Sequence, residues 1–208
     1  MRSGTGNTVG RSFTEAGRRA QIVQAAIDTI AEVGFARASL AAIGARVGIS
    51  KGLVGYHFAG KDELIREVVV EILARGRAYM TPRIHRAAAG RSMLRAYIEA
   101  NLEFMMVHPN EVMAIVEIIS NGAGPGGERA FYRDADAGTV LRELEQLLLH
   151  QQATGDLRRD FDPAVMANAV RGAIDAVAYR LAREPSLDVR RYGEQLADIF
   201  ERGTQPES

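Results

Sequence analysis

The sequence predicts an all-α chain of about nine helices, with a small N-terminal three-helix unit followed by a larger helical body. Three observations carry this expectation. Apolar residues recur at helical spacing along almost the whole chain. Ser, Asp, Pro and Gly stand where helices start and stop. No segment alternates convincingly as a half-buried strand would. At 208 residues, 47% hydrophobic and 25% charged, the composition is that of a globular protein able to bury a good core.

The first helix is expected over Thr14 to Gly34, with Ile22, Val23, Ala26, Ile27, Ile30 and Val33 on one face, after a flexible arm of residues 1–13. Two short helices follow in Ser39–Lys61. A long one then runs from Lys61 through Leu64, Ile65, Val68, Val69, Ile72 and Leu73 to about Met80, stopping at Thr81-Pro82 because proline cannot continue the hydrogen-bond ladder. The fifth covers about Ser92 to Val107, and the sixth opens on Pro109, a first-turn proline. The seventh runs from about Glu128 to Gln152 with Leu141, Leu144, Leu147 and Leu148 inward. Pro163 opens an eighth that reaches about Arg183, and Asp188 caps a ninth with Tyr192, Leu196, Ile199 and Phe200 as its apolar stripe. This divides the chain into an arm (1–13), a reading head (14–60), a helical body (61–203) and a disordered tail (204–208).

The stretch Ser39–Lys61, SLAAIGARVGISKGLVGYHFAGK, is the most informative. Ser39 suits an N-cap, since its hydroxyl can accept from an orphan amide of the first turn. Leu40, Ile43 and Val47 make one stripe, and Gly48 stands where a left-handed residue commonly ends a helix. Ser50 is a second cap, with Ile49 and Val54 placed as a hydrophobic staple. Helix, glycine-containing turn and helix make a helix-turn-helix, a unit that seats its second helix in the major groove of DNA. That second helix offers Lys51, Tyr56 and His57, with only small residues at Gly52 and Gly55, so its backbone can approach a surface closely.

ISKGLVGYHFAGKDEL resembles the recognition helix and following turn of TetR-type transcriptional repressors, and the resemblance extends over Arg18 to Glu71, about a third of the chain. Gly44 and Ala45 depart from the usual Ala and Glu, and Gly55 stands where many members carry a phosphate-contacting Tyr. Gly44 inside a short helix gives up roughly 1 kcal/mol against Ala. The resemblance implies a homodimeric DNA-binding regulator, more often a repressor than an activator, released from a palindromic operator by a small ligand. Ser39, Ser50 and Lys61 are then expected at phosphates, and Lys51, Gly52, Leu53, Tyr56 and His57 at bases or the adjacent backbone.

The eighth helix is rich in small residues (Ala164, Ala167, Ala169, Gly172, Ala173, Ala176, Ala178, Ala182), which let helices approach closely. The eighth and ninth helices, residues 163–202, are therefore expected to form the dimer interface, a four-helix bundle by the same resemblance. Helices four to eight are expected to enclose a pocket for an apolar or amphipathic effector. Its candidate lining is Tyr97, Phe104, Met105, Met106, His108, Met113, Val116, Glu117, Phe131 and Met166, since Met and aromatic side chains line adaptable cavities.

Formal net charge is zero, yet residues 1–61 hold eight basic groups against three acidic ones, so a head of +5 is joined to a body of −5. The two lysines, Lys51 and Lys61, both fall in the motif. Gly122–Gly127 satisfies GxGxxG and is the one rival signal, for a nicotinamide-dependent oxidoreductase. It lacks the strand context such a loop needs, and Pro125 occupies a turn whose amides would cradle pyrophosphate. A helical protein-interaction module is the other alternative. The four His are scattered without metal spacing, no nucleophile elbow is present, and there is no Cys. No enzyme activity, metal or cofactor is expected. No apolar run is long enough to span a bilayer and no signal-peptide core is present, so a cytoplasmic location is expected.

Overall fold

In the computed structural model, the described residues are 6–87, 92–121 and 137–206, and side chains are described from residue 15 onward within them, Ala137 excepted. Nine helices occupy these stretches: α1 (Gly6–Val33), α2 (Leu40–Arg46), α3 (Lys51–His57), α4 (Lys61–Ala87), α5 (Met93–Val107), α6 (Pro109–Asn121), α7 (Ala137–Thr154), α8 (Pro163–Leu181) and α9 (Val189–Thr204). The expected all-α architecture is observed.

The local signals act where the sequence placed them. Ser39 Oγ accepts from the Ala42 amide and Ser50 Oγ from the Leu53 amide, so both short helices start on capped turns. Gly34 and Gly48 adopt φ of +82° and +70°, the left-handed region that releases the chain after α1 and α2. Ser92 and Asp188 cap α5 and α9, and Asp162 caps the Pro163 start of α8.

Three boundaries differ from expectation. α1 begins at Gly6 rather than Thr14, so its first turns occupy part of the stretch read as an arm. α4 continues through Pro82 to Ala87. Pro82 lies on the solvent face, where the carbonyl it leaves unpaired can be hydrated, and Arg83 donates to the Tyr79 carbonyl at 2.8 Å within the same turn. α7 is described only from Ala137; its expected start, with the Gly122–Gly127 loop and Phe131, lies outside the described residues.

Two apolar cores result. The first joins Ile22, Ile27 and Ile30 of α1 to Ile43, Val54, Phe58, Leu64, Ile65 and Val68, and it also takes in Ala114 and Ile118 of α6. The second joins Leu94, Ile98 and Leu102 of α5 to Leu144 and Leu148 of α7, Ile174 and Val177 of α8 and Ala197 of α9. α6 therefore packs into the N-terminal unit with one face while belonging to the body with the other.

On α9 the deeply buried positions are Val189, Gly193, Ala197 and Thr204, a stripe turned by about one residue from the expected one. Small residues win there because α5 lies so close: a Cβ on Gly193 would stand 2.9 Å from Leu102 Cδ1. Tyr192, Leu196 and Phe200 are half-buried at the edge of the second core, and Ile199 is 65% exposed.

Candidate nucleic-acid interface and ligand cavity

α3 is held from beneath and open above. Val54 is fully buried against Ile43, and Gly44 lets α2 approach the turn: a Cβ there would stand 2.8 Å from the Ile49 carbonyl oxygen and 3.2 Å from Val54 Cγ2. Gly44 is thus the residue on which the angle between the two short helices depends, whatever it gives up in helix propensity. At the far end, Arg19 of α1 donates to the His57 carbonyl, lies 4.2 Å from the Phe58 ring centroid, and reaches Glu63 and Glu67 of α4 at 3.4 Å each. Glu63 also accepts from the Ala59 amide at 2.6 Å, and that bond holds its carboxyl below the usual value of 4.5. α1 and α4 therefore fix the C-terminal end of a seven-residue rod whose start is held by the Ser50 cap and by α2.

The outward face of that rod carries Lys51, Gly52, Leu53, Gly55 and Tyr56, all exposed; Leu53 is 42% and Tyr56 73% accessible. Exposure of a large apolar side chain on a helix whose other face is pinned is the feature a partner surface would use. Ser39 and Ser50 are exposed beside it, their hydroxyls already serving as caps.

Two expected contact residues are turned elsewhere. His57 is half-buried, with Nδ1 buried and unpartnered. Lys61 donates from Nζ to the Phe35 carbonyl at 2.6 Å and sits 4.3 Å from the Phe35 ring centroid, and burial lowers its pKa. Its placement ties the start of α4 to the loop after α1 rather than reaching toward a phosphate. Arg37 donates to the Val33 carbonyl and Arg46 pairs with Glu32 at 2.7 Å, so several charges of the basic head are spent within it.

Phe35 is engaged on both backbone sides. Its N–H donates to Glu117 Oε2 of α6 at 3.0 Å while its carbonyl accepts from Lys61. Asn121 Nδ2 supports the same carboxylate at 3.2 Å. Nearby, Asn110 donates to Asp28, and Arg75 of α4 bridges Gln24 of α1 and Glu111 of α6 at 2.6 and 2.9 Å. Glu117 was expected in the pocket; it instead bonds the body to the loop that leads into α2.

A cavity of about 570 Å³ lies in the body between α4, α5, α6, α7 and α8. Of the expected lining, Tyr97, Phe104, Met105 and Val116 face it. The other described residues of that set do not. His108 stacks on Phe104 with ring centroids 4.5 Å apart and lies 3.7 Å from Glu111, Met166 packs at the margin of the second core, Met106 is exposed, and Met113 is half-buried away from the cavity. A single helical face cannot hold all of 104, 105, 106 and 108, which is why a composition-based roll of α5 and α6 overreached.

Sequence reasoning missed Gly76, Arg77 and Met80 of α4, Asn101 of α5, Glu143 of α7 and Arg171 and Asp175 of α8, all of which line the cavity. Arg and Glu on helices read as solvated faces, so only Met80, by its type, and Gly76, inside a long helix, carried a usable signal.

The family model for bacterial regulatory proteins of the tetR family matches residues 22–68, the segment from the middle of α1 to the first turns of α4. The transcriptional regulator BetI of Paraburkholderia phytofirmans is 40% identical over 165 residues, covering 77% of this chain and 76% of that protein. The chain belongs to the TetR family of bacterial regulatory proteins. Against other curated relatives the matched stretch is shorter, and the chain spans about half their length.

Among solved structures, this TetR-family chain resembles the fatty acid degradation regulator FadR of Bacillus halodurans, with a TM-score of 0.78 at 16% identity over 97% of both chains. It also resembles SmeT, the repressor of the multidrug efflux pump SmeDEF of Stenotrophomonas maltophilia, with a TM-score of 0.68 at 23% identity over 91% of both. At these identities the likeness is one of fold. Membership of a family of transcriptional regulators sets the oxidoreductase reading aside. Among the described residues no group of three His, Cys, Asp or Glu could hold a metal, and no helix is long and apolar enough to cross a membrane.

Proposed function

We propose that this TetR-family chain is a homodimeric repressor that acts in the cytoplasm, reads a palindromic operator with α3, and leaves it when a small apolar or amphipathic molecule enters the cavity of the body. The observation that carries the reading is the outward face of α3, where Leu53 and Tyr56 stand exposed on a helix pinned by Val54 and by Arg19. Lys51, Gly52, Leu53 and Tyr56 would meet bases or adjacent backbone, with Ser39 and Ser50 at the flanking phosphates. Lys61 and His57 support the rod from behind. TetR-family regulators bind operator DNA, act as dimers and bind small-molecule ligands, which is consistent with this arrangement.

For the dimer, residues 163–202 offer an apolar row left exposed among the described residues. Val165 is 67% exposed on α8, Ala169, Gly172 and Ala176 continue its line at helical spacing, and Ile199 is exposed on α9. Small residues in that row let a second copy approach closely. Two copies related by a two-fold axis would present their α3 helices to half-sites about 34–36 Å apart or a multiple.

For release, α4 and α6 each line the cavity and also touch the N-terminal unit, α4 through Lys61 and Arg75, α6 through Glu117. A ligand that binds one spacing of the heads better than the other shifts the population by its difference in affinity.

The test is a fluorescence-anisotropy titration of the purified chain against DNA from upstream of its own gene, repeated at rising salt. The reading requires tight binding with sequence preference and a steep loss of affinity with salt. Binding without preference for that DNA over a scrambled duplex would overturn it.

A further inference from the structure

The charges that line the cavity are already paired with one another, and one buried polar atom is not. Arg171 pairs with Asp175 at 2.6 Å and also donates to Asn101 Oδ1 at 3.0 Å, while Asn101 Nδ2 donates to the Tyr97 carbonyl at 2.8 Å. Arg77 meets Glu143 at 3.1 Å, both about half exposed, which puts this pair at the solvent edge between α4 and α7. His85 is exposed on the rim. Tyr97 is only 6% accessible, lines the cavity, and among the described residues its hydroxyl has no hydrogen-bond partner. Apolar side chains such as Leu73, Ile84, Met105, Val116 and Ile119 supply most of the remaining wall.

An ion entering such a site would lose its hydration and find no unpaired counter-charge among the described residues, a costly exchange. An uncharged molecule loses little, and a ligand that turned the Tyr97 ring enough to reach its hydroxyl, closed to water-sized contact in this conformation, would satisfy a group otherwise left buried and unmet. Cavities of 300 to 1,000 Å³ take drug-sized ligands, so about 570 Å³ fits a molecule on the order of 20 non-hydrogen atoms.

We propose that the effector of this cavity is an uncharged, largely apolar molecule that presents one hydrogen-bonding oxygen or nitrogen to Tyr97 Oη. This rests on the regulator reading above and narrows it to a ligand class, excluding fatty-acid carboxylates, phosphorylated carriers and quaternary amines from the inner cavity. Arg171 and Asp175 are on this view paired with each other, Arg171 also with Asn101, so that they shape the polar end rather than anchor either sign of charge.

N-phenyl-1-naphthylamine and 1-anilinonaphthalene-8-sulfonate share one aryl-amine skeleton and differ by a sulfonate, and both brighten in apolar surroundings. Titrated into the full chain, the neutral probe is expected to saturate at one per chain with an affinity at least tenfold above that of the sulfonate. Gly76→Leu, which projects a side chain toward Met80 and Phe104, should abolish that signal; where it fails to fold, Ile119→Trp narrows the cavity from α6 and should do the same. Tyr97→Phe should stay folded by circular dichroism and weaken the neutral probe about threefold to tenfold.

Equal or tighter binding of the sulfonate that Gly76→Leu or Ile119→Trp abolishes overturns the proposal, as does no saturable binding of the neutral probe, or a Tyr97→Phe variant that binds it unchanged. Operator titration of the same preparations separates the two failures. If operator binding persists while probe selectivity is absent, the ligand class alone is wrong; if operator binding is absent, the regulator reading is wrong whatever the cavity takes.

Discussion

Removing the Glu117 carboxylate should loosen the loop between α1 and α2 without touching either the DNA-facing residues or the cavity wall. The Phe35 N–H donates to Glu117 Oε2 at 3.0 Å across 82 residues of sequence, and Asn121 Nδ2 shares that oxygen at 3.2 Å. A hydrogen bond to a charged group contributes about 1.5–3 kcal/mol when well buried. Glu117 is half-buried, so the lower end applies, about 1.5 kcal/mol. In Glu117→Ala the Phe35 amide loses its acceptor, while the Lys61 bond to the Phe35 carbonyl remains to hold the loop to α4.

The expected outcome is roughly tenfold faster hydrogen exchange at the Phe35 amide, with a matching fall in stability by urea titration. Glu117→Gln keeps a neutral acceptor and should show about half the effect. An alanine variant whose Phe35 amide exchanges at the wild-type rate and whose urea midpoint is unmoved would refute the claim that this bond joins the two parts of the chain.

Tyr56→Ala should leave stability within about 0.5 kcal/mol, since the ring is 73% exposed, while lowering operator affinity about tenfold and leaving the dimer intact on gel filtration. An eluting monomer, or unchanged DNA affinity, would show that Tyr56 has been misplaced. Gly44→Val should destabilise by at least about 2 kcal/mol, because its β-carbon would press on the Ile49 carbonyl rather than on a yielding side chain; an unfolding midpoint equal to wild type contradicts this. Glu63 has its carboxyl held below 4.5 in the folded chain by the Ala59 amide, so its contribution is present above that value and is lost as pH falls through the lower folded one. Glu63→Gln should therefore lose less stability than wild type between about pH 6 and about pH 3, and parallel acid limbs for the two proteins would count against it.

The helices and the reading head were legible because their signals are local. Ser39 and Ser50 cap, Gly48 turns, and Val54 points inward at the one position helical geometry allows, so four residues fix the motif before any long-range contact is considered. Pro82 misled because a breaker was read without its surroundings: on a solvated face its missing hydrogen bond is tolerated. The cavity was half legible. Tyr97, Phe104, Met105 and Val116 were found by type, but Glu117 and His108 share their helices at angles that send them to other neighbours, a matter of which helices α6 lies between. Lys61 shows the same limit from the charge side, since nothing local reveals that its ammonium group will find the Phe35 carbonyl.

Hydroxyl-radical footprinting of the purified chain on DNA upstream of its own gene tests most directly whether α3 reads an operator as a symmetric pair. On this account, two protected patches related by a two-fold axis, one helical turn or a multiple apart, are expected, and with Tyr56→Ala both should need about tenfold more protein to appear. A single patch, or protection that survives that substitution unchanged, would contradict it.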